Sequence, residues 1–301
     1  MNRSIVDMNV LMITLDSLSA GIALLAKPPN LSRLGEVRLA ETHGSYTLPA
    51  HVSLLVHGNL PTPIDNKGKI LGFDRVWRSA ESRGRNLSIG QVFTGSSLPR
   101  YYAEIGYKVT GVGGVGFFDP AVRANLLPKL FPQYHFPDVI NENGWASDIP
   151  IDSVSRQYRK GQSLPITSRL GYLTELCSSK DPWFVFCNVA ETHFPYNIPG
   201  REMAESTQIL LEETWKSYSD KTPGSCKLSD QKLAALQAIQ WETLLGIDEA
   251  FGKIIESMSS NRKTLVIVTA DHGEEFGEYG RLGHGHASPA VWQVPLWVNV
   301  L

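Results

Sequence analysis

Four short, continuous apolar runs constrain this chain most: NVLMITL at 9–15, YKVTGVG at 107–113, PWFVFCNVA at 182–190 and KTLVIVTA at 263–270. A strand with one face in water alternates polar and apolar residues, whereas an unbroken apolar run belongs where both faces are covered. Parallel neighbours also need long crossover connections, and the stretches between these runs are long enough to hold helices. The expected fold is α/β, a three-layer α/β/α sandwich around a mostly parallel central sheet. With 301 residues, 42% of them hydrophobic, the chain can bury one large core, so residues 1–301 read as a single domain.

The helices are legible in two places. SDQKLAALQAIQWETLLGIDEAFGKIIESM, residues 229–258, carries apolar residues at helical spacing, with Ser229 placed to cap its start. VSLLVHG follows Pro49, a residue that suits a first helical turn because its missing N–H costs nothing there. GVGGVG at 111–116 has the spacing of a dinucleotide fingerprint, but it runs into Phe117-Phe118-Asp119-Pro120 and does not follow the first strand, so it predicts a tight turn. Residues 59–100 and 137–168 are rich in Gly, Pro, Ser and charge and read as long surface excursions.

Composition removes several functions. Lys+Arg 28 against Asp+Glu 30 leaves a net charge of −2, and the basic residues are scattered, so no nucleic-acid partner is expected. Cys177, Cys187 and Cys226 are too few for a disulfide framework and lack zinc-cluster spacing. No apolar stretch reaches the roughly 18 residues of a membrane span. Asp7 and Asp16 interrupt the apolar amino terminus, which has no export cleavage site. These features predict a soluble, cytoplasmic protein without a membrane partner; the sequence does not encode a readable oligomeric state. The tryptophans at 183, 241, 292 and 297 read as core.

In an open α/β sheet, ligands gather at the carboxyl ends of the strands. The first run ends in Asp16, the third leads to Glu191 and His193 in AETHFPY, and the fourth ends in Asp271 and His272 in TADHGEEFGE. Two carboxylates and an imidazole suit a divalent metal ion such as Zn²⁺ or Mn²⁺. Thr47, in GSYTLPAHVSLLVHG, is a candidate fourth ligand and nucleophile, since a helix start favours an oxyanion and a metal lowers a hydroxyl's pKa. The same place also suits a simple N-cap. His51 and His57 read as structural or substrate-facing, and Glu274, Glu275 and Glu278 as a solvated turn.

NVLMITLDSL, YTLPAHVSLLVHG, ETHFPY and DHGEEFGEYGRLGHGHASPAVWQVPLWV, in that order, resemble the motifs of the alkaline phosphatase superfamily, in its sulfatase-like branch. GYKVTGVGGVGFFDP and SPAVWQVPLW are further similar to a group of short bacterial sulfatase-like hydrolases. The formylglycine motif of sulfatases, C/S-x-P-x-R, reads Thr47-Leu48-Pro49-Ala50-His51 here, and Ser17 follows Asp16 where sulfatases tend to carry a second aspartate. Threonine cannot become formylglycine. Asp16, Thr47, Asp271 and His272 instead resemble the metal site and threonine nucleophile of phosphoethanolamine and lipoteichoic-acid transferases and of phosphodiesterases.

The resemblance implies a metal-dependent hydrolase of a small-molecule phosphate ester, a phosphomonoesterase or phosphodiesterase working through Thr47. A sulfatase-like hydrolase without formylglycine, a phospho-group transferase and a non-catalytic metal- or anion-binding protein are the alternatives. It implies charge stabilisation or general acid work for His193 and His284, a role His286 could exchange. One metal ion is expected; Glu191, His193 and His286 are the residues from which a second site could be built, and His51 is a further substrate-facing candidate. Larger relatives continue into a carboxy-terminal subdomain that this chain is expected to lack.

Overall fold

A computed structural model describes residues 8–56, 97–123, 125–136, 163–219, 224–258, 261–286 and 288–301. Each apolar run is a strand: β1 (Asn9–Leu15), β3 (Lys108–Gly113), β5 (Trp183–Val189) and β6 (Thr264–Ala270). With β2 (Arg38–Glu41), β4 (Gln133–His135) and β9 (Gln293–Val300) they form one seven-stranded sheet in the order β2-β9-β6-β1-β5-β3-β4. The five strands from β6 to β4 are mutually parallel, while β9 runs antiparallel to both β6 and β2. A short hairpin of β7 (Glu275–Phe276) and β8 (Leu282–Gly283) stands apart from the sheet.

The period of two along each strand sends alternate residues into two cores. Leu11, Ile13, Leu15, Val185, Cys187, Val189, Val266 and Val268 pack against Ile22 of α1 (Ala20–Ala26) and against Leu236, Leu244 and Phe251 of the long helix Asp230–Ser257. On the other face Val10, Met12, Phe184 and Phe186 meet Val52 and Leu55 of α2 (Thr47–Leu55) and Tyr102 of α3 (Leu98–Glu104). Both faces are therefore covered, which is why the central strands carry no alternation. At roughly 1.5–3 kcal/mol for each fully buried aliphatic or aromatic side chain, these two cores are the main favourable term in folding.

Local signals behave as their chemistry dictates. Ser229 caps the long helix, its hydroxyl accepting from Lys232 N at 3.4 Å. GVGGVG ends β3 in a turn with Gly113 at φ 80° and Gly114 at φ 113°, backbone that side chains rarely adopt, and no dinucleotide-type helix follows. Trp183 and Trp297 are buried, and Cys177, Cys187 and Cys226 are free thiols. The expected surface excursions are corrected where they are described. Ser163 and Leu164 are buried, Pro165–Ser168 is a short helix, α4, and Leu98–Glu104 is α3. The remainder of both excursions, and His57, lie outside the described residues. Among the described residues no helix is long and apolar enough to cross a membrane.

The topology gathers one end of the sheet into a site. β1 lies between β5 and β6, so the loops after these three strands emerge side by side. Because β9 is antiparallel, Thr269 near the end of β6 sits opposite Leu296 near the start of β9, and the loop leading into β9 arrives at the same end.

Candidate metal centre

Asp16 continues the pairing of β1, its N–H donating to Val189 O at 2.9 Å, and the chain then turns sharply through Ser17 at φ 63°. A non-glycine residue in that region is held there by its surroundings. Ser17 N donates to Asp271 Oδ1 at 3.2 Å, tying the β1 turn to the β6 turn, and His272 N donates to the same oxygen at 2.9 Å. Asp16, Asp271 and His272 are all fully buried. His272 Nε2 lies 3.4 Å from Asp271 Oδ2 and 3.7 Å from Asp16 Oδ1. One ligand atom from each of the three residues falls within 4.8 Å of the others, the single such group among the described residues.

The electrostatics of this trio call for a cation. Burial first, and Asp271 second, push Asp16 up to about 6; burial pushes Asp271 up to about 7. Asp271 Oδ2 is buried and accepts no hydrogen bond. His272 Nδ1 faces Gly273 O at 3.1 Å, which keeps its proton on that nitrogen and turns the Nε2 lone pair toward both carboxylates. Three lone-pair donors converging among fully buried side chains fit a divalent ion in nature and number.

Thr47 is the first residue of α2, and Tyr46, in extended backbone, occupies the cap position. The N-cap reading of Thr47 is thereby corrected: its hydroxyl donates to Asp16 Oδ2 at 3.5 Å instead of capping the helix. His51, one turn further on, is fully buried. Its Nδ1 faces Thr47 O at 2.8 Å and Asp271 Oδ2 at 3.5 Å. Its Nε2 faces Thr14 Oγ1 at 2.9 Å and Asn188 Nδ2 at 3.3 Å. Burial holds its pKa down to about 3, so the ring is neutral and bridges α2 to the ends of β1 and β5. His51 therefore anchors the Thr47 turn and does not face substrate, because both ring nitrogens are engaged inside the protein. Asn188 Nδ2 adds a bond to Asp16 Oδ2 at 3.2 Å.

His193 and His284 complete the cluster, with ring centroids 5.1 Å apart, and His284 lies 4.3 Å from His272. His193 Nδ1 donates to Phe194 O at 2.6 Å. His284 Nδ1 meets Tyr218 Oη at 3.1 Å, Ser17 Oγ at 3.3 Å and Glu274 Oε2 at 3.5 Å. The second metal site considered above is not assembled. Glu191 is buried with Oε1 accepting from Thr167 N at 3.0 Å, and His286 Nε2 pairs with Glu275 Oε2 at 2.9 Å in the β7–β8 hairpin. Burial pushes Glu191 up to about 7.

The solvated-turn reading is corrected for two residues: Glu274 and Glu275 are fully buried, while Glu278 is exposed. Glu275 accepts from the N–H groups of Tyr279 and Arg281, which form the hairpin. Ser17, Asn188 and Tyr218 are site residues that sequence reasoning missed. Ser17 alone had a signal, its position directly after Asp16.

The sequence profile of the Sulfatase family matches residues 79–299, a span that includes His193, Asp271, His272 and His284 but not Asp16 or Thr47. No curated protein sequence matches the chain. The fold is similar to the carboxy-terminal periplasmic domain of EptC from Escherichia coli, described in complex with Zn, at a TM-score of 0.59 and 13% identity over 97% of this chain and 72% of that one. It is also similar to the soluble domain of lipooligosaccharide phosphoethanolamine transferase A from Neisseria meningitidis, at 0.55 and 15% over 97% and 77%. A third is the phosphonate monoester hydrolase of Agrobacterium radiobacter, at 0.54 and 20% over 97% and 68%. At these identities the likeness is one of fold.

Proposed function

Because the chain belongs to the sulfatase family of the alkaline phosphatase superfamily, we propose that it is a metal-dependent hydrolase of small-molecule phosphate esters with Thr47 as nucleophile. The observation that carries this reading is the Thr47 hydroxyl, hydrogen-bonded to Asp16 inside a buried group of two carboxylates and an imidazole. Asp16, Asp271 and His272, with Thr47 beside them, would hold one divalent ion such as Zn²⁺ or Mn²⁺. Such an ion supplies Lewis-acid stabilisation of phosphoryl oxygens and lowers the pKa of a neighbouring hydroxyl.

The chain's own residues account for the rest. Thr47 Oγ1 attacks phosphorus in line as its proton passes toward Asp16 Oδ2, and the bond to the leaving oxygen breaks, giving a phosphothreonine. His51 and Asn188 hold the attacking turn and Asp16 in register during this step. His193 and His284 stand together beside His272, and we assign them uptake of charge on the nonbridging oxygens and protonation of the leaving oxygen. Water then attacks the phosphothreonine and restores Thr47. A threonine at this position supports phosphoryl rather than sulfuryl transfer, since it cannot mature to formylglycine.

Wild type and Thr47→Ala, loaded with Zn²⁺ or Mn²⁺, are to be assayed on an aryl phosphate, an aryl phosphodiester and an aryl sulfate, with bound metal measured by elemental analysis. We expect turnover of a phosphate ester by wild type, and a loss of at least about a hundredfold in Thr47→Ala with metal retained. Phosphate should be found on Thr47 by mass spectrometry of acid-quenched wild type. Equal turnover by both proteins, or turnover of the sulfate alone, would overturn the reading. Metal bound without any turnover would leave a non-catalytic metal-binding protein.

A further inference from the structure

We propose that Tyr218 is a positioning residue that fixes which nitrogen of His284 is presented to the bound ester, a role that rests on the phosphoesterase reading above. Tyr218 belongs to the helix Glu205–Ser219, outside every motif that pointed to the site. Its ring is buried and stacked between elements: centroids lie 4.4 Å from Phe194 at 20° and 6.3 Å from the partly exposed Trp215 at 10°. The stack fixes the plane of the phenol and leaves its oxygen 3.1 Å from His284 Nδ1.

The proton arrangement follows from the groups present. Three oxygens face His284 Nδ1: Tyr218 Oη at 3.1 Å, Ser17 Oγ at 3.3 Å and Glu274 Oε2 at 3.5 Å. A carboxylate oxygen only accepts, and Ser17 Oγ gives its own proton to Asp16 Oδ1 at 3.2 Å and so also faces Nδ1 as an acceptor. The phenol oxygen, the nearest of the three, keeps lone pairs with which to accept. His284 therefore carries a proton on Nδ1, and Nε2, on the opposite side of the ring, is the nitrogen that serves the substrate. This is the logic of a second group orienting a general acid.

The step balances. As the phosphorus–oxygen bond to the leaving group breaks, the electron pair stays on the leaving oxygen, which takes the Nε2 proton of doubly protonated His284. His284 is left neutral with Nδ1–H still on Tyr218, and it recovers its Nε2 proton from the water that hydrolyses the phosphothreonine.

Tyr218→Phe tests this, because it keeps the aromatic stack and removes only the hydroxyl. Metal-loaded wild type and variant are compared on an alkyl phosphate, whose leaving oxygen needs a proton, and on a nitrophenyl phosphate, whose leaving oxygen does not. The variant is expected to lose at least about tenfold more on the alkyl ester than on the aryl ester. In a His284→Ala background, adding Tyr218→Phe should cost nothing further. Nitrogen-15 NMR of the metal-free protein should show His284 protonated at Nδ1 in wild type and a mixture of tautomers in the variant.

Equal losses on the two esters, additive losses in the double mutant, or a bare Nδ1 in wild type would each overturn the proposal. If wild type turns over neither ester, the hydrolase reading fails, and the NMR comparison decides the positioning role independently.

Discussion

Asp16 and Asp271 are both fully buried, and burial raises both carboxyls toward neutrality, to about 6 and about 7. Protons and a divalent ion therefore compete for the same oxygens. At low pH the carboxyls hold protons and bind the ion weakly, and as pH rises through these values they ionise and bind it tightly. Calorimetric titration with Zn²⁺ or Mn²⁺ should show affinity climbing at least about tenfold between about pH 5.5 and about pH 8, with proton release on binding. An affinity flat across that range would contradict the assignment. Metal-free stability is a poorer readout. The raised carboxyls stabilise the fold at low pH, an effect lost as pH rises through about 7, whereas His51, held down to about 3, costs stability as pH falls below the usual histidine range. The two effects oppose over overlapping windows.

At the scale of elements, the site depends on the turn that leads into α2, whose shape the backbone sets. Gly44 lies just before α2, and a Cβ there would stand 2.2 Å from Ala50 N. Gly44→Ala must push the start of α2 away from Asp16, so phosphate-ester turnover should fall by at least about tenfold while circular dichroism shows the helices intact. Gly171 is the informative contrast. It lies in the helix Leu170–Cys177, exposed, with nothing within 4 Å of an added Cβ. Gly171→Ala should raise stability by about 0.5–1 kcal/mol in denaturant titration and leave turnover unchanged. If Gly44→Ala turned over ester as well as Gly171→Ala does, the placement of Thr47 by this turn would be wrong. The Tyr218 helix shows a different dependence. Its sequence, ESTQILLEETWKSYS, reads as an ordinary surface helix, and only its docking beside the β7–β8 hairpin brings Tyr218 to His284.

Across the whole molecule, legibility followed range of interaction. Unbroken apolar runs announced the four central strands because coverage on both faces leaves its mark on every residue. Asp16, Asp271 and His272 were legible because each stands at the end of such a run, where the fold places ligands, and Thr47 because it opens a helix. Glu274 and Glu275 were not, since an acidic stretch shows no sign in itself that a histidine and a hairpin will enclose it. In the sequence His51 reads as structural or substrate-facing and Glu191 as a possible second-site residue; the structure gives His51 the structural role, and both readings stayed open because the partners that hold these residues, Asn188 and Thr167, come from elsewhere in the chain.

On the proposed function, the end of this sheet holds a cation beside Thr47. Anomalous diffraction from crystals grown with Zn²⁺ tests it directly. One strong peak is expected at about 2.0–2.2 Å from Asp16, Asp271, His272 and the Thr47 oxygen. A peak confined to the His286–Glu275 pair, or a Zn²⁺ ion that leaves Thr47 outside its coordination sphere, would contradict it.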